Sequence, residues 1–144
     1  MKRTIIVTHS KNLSFSKKIV KNLPLAIRKQ LPKEIAIIAV LPQESLRLNR
    51  QYRNKQKPAN VLSFLYSPEY GELIICPTII YREAKEQSNS QLFQMTWMIV
   101  HGMLHLAGMH HEASHAVAKK VERVEQTILS SMFRRKIKNE KIKN

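Results

Sequence analysis

His101 and His105 stand four residues apart in the run HGMLHLAGMHH. On a helix that spacing puts both imidazoles on one face, a single turn apart, where they can share one metal ion. Gly108 lets the chain leave the helix with positive φ, and His111 arrives three residues later, able to fold back over the same ion as a third ligand. Three nitrogens leave a fourth position open, as catalytic zinc requires, and a water bound there would be acidified toward a pKa of about 7. Without a shared ion, these imidazoles would be buried polar groups on an otherwise apolar helix, each needing another partner. Cys76 is the only cysteine, so neither a closed thiolate site nor an intramolecular disulfide is available, and a buried reduced thiol is expected.

The element that carries the pair begins near Gln91. Leu92, Phe93, Met95, Trp97, Met98, Ile99, Val100, Met103, Leu104 and Leu106 occupy nearly every face of it, so it is expected to be a buried central helix that stops at Gly108. Around it, Thr4 to Thr8 reads as a short strand and Ser16 to Gln30 as one amphipathic helix, with Ile19, Leu23 and Ile27 at helical spacing and Pro32 beyond its end. Glu34 to Val40 is a continuous apolar run suited to a strand buried on both faces. Gln43 to Tyr52 predicts a short helix, followed by a basic, exposed loop from Arg53 to Pro58. Val61 to Tyr66 and Glu72 to Cys76 predict two strands around the turn chemistry of Ser67 to Gly71, either a hairpin or neighbours in one sheet. Pro77 opens a helix through Ile79, Ile80 and Ala84, and Ser88 to Ser90 breaks it. A last helix is expected from His115 to Phe133, with Val117, Val121, Val124, Ile128 and Leu129 on one stripe. Residues 1–133 then form a single domain, and 134–144 a basic, flexible tail.

Charge narrows the partners. Twenty-five Lys and Arg face 10 acidic residues, all Glu, a net charge of +15 with His neutral. That excess favours polyanions, of which nucleic acid is the commonest in the cytosol, although a basic background can also serve solubility alone. No apolar run approaches the ~20 residues of a membrane span. The apolar stretch after Met1-Lys2-Arg3 ends at His9, Ser10 and Lys11, too soon for a secretory leader, so a cytoplasmic protein without membrane partners is expected.

The His, His, Gly, His spacing repeats the metzincin pattern, but Gly102 stands where that pattern has the Glu that acts as general base in peptide hydrolysis. The same run resembles the signature of the YbeY family of bacterial rRNA-maturation endoribonucleases, His-Gly-x-Leu-His-Leu-x-Gly-Tyr-Asp-His. It departs from it at Met109, in place of Tyr, and His110, in place of Asp. LNRQYR at 48–53, ANVLSF at 59–64 and GELIIC at 71–76 are similar to further segments of the family in the same order, so the likeness covers about residues 46–130. The resemblance implies an α+β fold, a compact zincin-like domain with a mixed sheet against helices. It also implies one zinc in a basic cleft, with Arg53 as that cleft's functional arginine. A guanidinium there could hold a phosphate bidentately and offset the charge of a phosphodiester transition state. Lys55 and Lys57 would touch the RNA backbone. Asn60, Glu72 and His110 stand where relatives often have Asp; His110 could shuttle protons in its place or compete as a ligand. His115 reads as an exposed first-turn residue.

The leading expectation is therefore a zinc-dependent, single-strand-specific endoribonuclease. By resemblance it acts in 16S rRNA 3′ end processing and ribosome quality control, with RNA and the small ribosomal subunit as partners and DNA not expected. A non-catalytic, zinc-braced RNA-binding assembly factor is the second expectation. A metallopeptidase is disfavoured by Gly102, and a metal-dependent phosphatase stays open because spacing identifies the ion and not the group presented to it. The spacing also does not choose zinc over nickel or cobalt.

Overall fold

The computed structural model describes residues 4–8 and 13–143, with side chains described through Phe133. Its order is β1 (Ile5–Thr8), α1 (Ser16–Asn22), α2 (Leu25–Arg28), β2 (Glu34–Ala39), α3 (Pro42–Arg53), β3 (Val61–Ser67), β4 (Tyr70–Ile75), α4 (Pro77–Glu86), α5 (Gln91–Leu106) and α6 (His115–Lys143). The strands form one mixed sheet in the order β1-β2-β4-β3, parallel except for the antiparallel β3–β4 hairpin. This is the expected α+β architecture.

The core lies on one face of the sheet. Ile6, Ile35, Ile37, Leu73 and Ile75 alternate onto that face and join Ile19 from α1, Ile80 from α4, Ile99, Met103 and Leu104 from α5, and Val121 and Ile128 from α6. Helix α5 is the central helix, with Met95, Met98 through Val100, Gly102 through Leu104 and Leu106 all buried. Cys76 is buried and reduced. None of the helices among the described residues is long and apolar enough to cross a membrane.

Three expectations need correction. The single helix over 16–30 is two, because Pro24 holds Leu23 in an extended conformation (φ −74°, ψ 142°) and the helix must restart beyond it. β2 is buried on one face only, since Ala36 and Ile38 stay half-exposed on the other while Ile35 and Ile37 are buried. Arg53 is the last residue of α3 and does not lie in the loop; Asn54 then takes the left-handed conformation (φ 55°) that Asn tolerates and turns the chain. Helix α6 runs past Phe133 to Lys143 in its backbone, whereas Met1–Arg3, His9–Asn12, Asn144 and the side chains from Arg134 lie outside the described residues.

Candidate metal centre and basic cleft

Helix α5 can approach the sheet closely only because residue 102 has no side chain. A Cβ on Gly102 would meet Leu73 Cδ2 at 2.8 Å, Val61 Cγ2 at 3.2 Å and Ser63 Oγ at 3.3 Å. The Ser63 hydroxyl donates to the Gly102 carbonyl oxygen at 3.2 Å, pinning the helix to β3 at the turn that carries both histidines. A Glu at this position would have no space, so the peptidase base is excluded by packing as well as by identity.

The helix ends in a Schellman turn. Met109 N–H donates to Leu104 O (2.9 Å) and Gly108 N–H to His105 O (3.0 Å), with Gly108 at φ +90°. The turn reverses the chain so that residues 110–112 return over the helix end. His111 comes to a ring-centroid distance of 4.9 Å from His101, and His110 to 4.2 Å from His105. His110 Nδ1 lies 3.0 Å from His105 Nε2. Glu112 sits between them, one oxygen 3.5 Å from His105 Nε2 and the other 3.1 Å from His111 Nδ1.

Of these donors, the group with the spacing of a divalent metal site shares only His105 with the three ligands expected from the sequence. Burial, then the neighbouring His110, push the His105 pKa below its ordinary value against the opposing pull of Glu112, which favours the neutral imidazole a metal needs. Glu112 is held below the usual carboxylate range, first by a backbone hydrogen bond and then by the histidines, so it is ionised. His105, His110 and Glu112 offer ligand atoms within 4.8 Å of one another and could hold a metal ion. His101 is prepared differently: its Nδ1 is 3.1 Å from Glu125 Oε1, and the other Glu125 oxygen accepts from the Trp97 indole N–H. With Nδ1 committed to a buried carboxylate, Nε2 is the ring nitrogen left free to take another partner.

His101, His105 and His111 line one cavity of about 590 Å3 together with Arg53, Lys55, Lys57, Arg82, Asn60, Glu83 and Glu86. Arg53 is close enough to disfavour protonation of His105. The wall bearing Lys55 and Lys57 is tied to α3 from within. The buried Ser45 hydroxyl both donates to Ala59 O (2.7 Å) and accepts from its N–H (2.8 Å), and Asn49 Nδ2 donates to Lys57 O (2.8 Å). Asn60 donates to Glu83 Oε1 at 2.9 Å across the cavity.

The structure thus gathers Arg53 and the three predicted histidines on one cavity and places His110 on His105. Glu72 is remote from that cavity, bonded to the Tyr70 hydroxyl (2.9 Å), and His115 is an exposed residue at the start of α6. Sequence reasoning missed Glu112, Glu83 and Glu125. The signal for Glu125 was present, as it falls on the apolar stripe of α6 between Val121 and Ile128, where an unpaired carboxylate would be costly.

Comparison with known proteins follows the same lines. Residues 2–133 match the family model described as Endoribonuclease YbeY. The endoribonuclease YbeY of Alkalilimnicola ehrlichii is 37% identical over 110 residues, covering 70% of this chain and 66% of that protein. The corresponding protein of Acinetobacter baumannii strain ATCC 17978 is 39% identical over 110 residues (69% and 70%), and that of Colwellia psychrerythraea 40% over 106 residues (69% and 68%). The matched region therefore spans about two thirds of the length of these relatives. Among solved structures, the solution structure of TM1509 from Thermotoga maritima superposes with a TM-score of 0.63 at 25% identity, covering 95% of this chain and 93% of that one.

Proposed function

Because the chain belongs to the YbeY endoribonuclease family, we propose that it is a zinc-dependent endoribonuclease that cuts single-stranded RNA, in the cytoplasm, during 16S rRNA 3′ end maturation and ribosome quality control. The observation that carries this reading is the single cavity that presents His101, His105, His111 and Arg53 beside Lys55 and Lys57. His101, His105 and His111 would hold the ion, which when bound supplies Lewis acidity for phosphodiester hydrolysis. Arg53 clamps the scissile phosphate and offsets its growing charge, from the last turn of α3. Lys55 and Lys57 hold the neighbouring phosphates. His110 takes and returns a proton at its ring nitrogens, beside His105.

A second reading, a non-catalytic RNA-binding assembly factor, is favoured by His110 standing where the family signature has Asp. Glu112 and Glu83 weigh against it, because they return carboxylates to the same site.

Elemental analysis and an RNA-cleavage assay test the proposal together. About one zinc per wild-type chain is expected, and none in the His101→Ala, His105→Ala, His111→Ala triple variant, which should also lose cleavage. Arg53→Glu should keep the metal and lose at least ~100-fold in turnover, in line with the loss of one transition-state donor. RNA binding without cleavage in the zinc-loaded wild type would favour the assembly-factor reading, and equal loss of metal and turnover in Arg53→Glu would remove Arg53 from the role given to it.

A further inference from the structure

The outer strand of the sheet, β3, connects two clefts. Its start, Val61 to Ser63, lines the histidine cavity; its end, Leu65 to Ser67, lines a second cleft of about 370 Å3 with Lys29, Gln30, Pro32 and Pro68. Between them runs a row of aromatic rings. Tyr52, the residue before Arg53, packs edge-on against Phe64 (centroids 5.1 Å), Phe64 lies 6.5 Å from Tyr66, and Tyr66 stacks on Tyr70 at 5.8 Å and 25°.

Aromatic rings in contact ordinarily seal a core, yet Tyr52 is 59% and Tyr66 63% exposed. The pairing register jumps between Leu65 and Ser67, so Tyr66 occupies a bulge, a device that re-aims a side chain at a sheet edge. Two carboxylates adjoin the row: Glu72, half-buried, accepts from the Tyr70 hydroxyl and is also hydrogen-bonded to Tyr66, and Glu34 lies close enough to Tyr70 to raise its pKa. Exposed cations stand at both ends, Arg53, Lys55 and Lys57 at one and Lys29 at the other. Exposed rings flanked by cations are the combination that binds single-stranded nucleic acid, because every base has a face to stack and every phosphate a charge to neutralise.

We propose that the Tyr52, Phe64, Tyr66 and Tyr70 row is a stacking track that seats the bases of the RNA strand leaving the histidine cavity toward the Lys29 cleft. The inference rests on the nuclease reading above and adds to it a binding path outside the cavity. Charge decides between RNA and a protein partner: a row closed at both ends by cations, on a chain of net charge +15, is complementary to a phosphate backbone.

The test is binding of a fluorescent 2′-O-methyl oligouridylate, which resists cleavage, to the full chain at fixed salt. Tyr66→Ala should weaken binding at least about fivefold, the loss expected for one stacked base. Tyr66→Phe should bind within about twofold of wild type, since stacking needs the ring and not the hydroxyl. Tyr52→Leu provides a second site, and matched thermal melts establish that each variant is folded. Loss in Tyr66→Ala and Tyr52→Leu with retention in Tyr66→Phe supports the track. Wild-type affinity in both truncations overturns it and leaves the row as a protein-docking face, while wild-type cleavage of RNA keeps the nuclease reading intact. A wild-type chain that neither binds the oligouridylate nor cleaves unmodified RNA removes both.

Discussion

The Glu125 carboxylate is buried on α6 and holds two groups of α5 at once, the Trp97 indole and His101 Nδ1. A ligand histidine free to rotate would spend part of its binding energy on being ordered; one already bonded through its far nitrogen does not. Glu125→Gln keeps the shape of the side chain and removes its charge, so the imidazole loses its fixed tautomer. Zinc affinity, measured by competition with a chelator, should fall about 10- to 100-fold with little change in the fold. Unchanged affinity would mean that Glu125 supports only the packing of α6 on α5. Glu83 was hard to read in the chain because the Asn60 it meets lies 23 residues away, and Glu112 because only the folded turn brings it to His105 as well as to its neighbour His111.

At the scale of elements, the position of α5 depends on Gly102. An Ala there gains about 1 kcal/mol of helix propensity but must push Leu73, itself fully buried, along with Val61 and Ser63. Overpacking a tight core costs about 1–3 kcal/mol, so Gly102→Ala should be net destabilising by roughly 1 kcal/mol in a denaturant melt. Zinc affinity should fall with it, because the helix that moves carries His101 and His105. A more stable Gly102→Ala variant would show that α5 can shift without cost. The periodic patterns located α3, α4, α5 and the hairpin well, since one buried face imposes its spacing on the sequence. They failed at Pro24, where a local backbone restriction overrode an apolar stripe that continued through Leu23 and Ile27.

Over the whole molecule, Arg53, Lys55, Lys57 and Arg82 are the cations that share the cavity with the histidines, beside the acidic Glu83 and Glu86. Binding of single-stranded RNA should therefore weaken with salt, each neutralised phosphate contributing about −0.7 to the slope of log affinity against log salt. If Lys55 and Lys57 each hold a phosphate, the double Ala variant should lose about 1.4 from that slope. A slope equal to that of the wild type would place the RNA elsewhere. Charge count alone favoured a polyanion partner without excluding a role in solubility, and named no face for binding.

From the chain alone came the histidine spacing, the glycine that ends their helix, the order of strands and helices, and the family to which they point. These are local properties, written as periods and as backbone preferences of neighbouring residues. What the tertiary structure decided is which side of the sheet stays open, that Arg53 ends a helix beside the cavity, and that Glu125 reaches His101 across 24 residues of sequence. Such contacts depend on how separate elements pack, and packing is set by the sum of all side chains at the interface and by no single spacing along the chain.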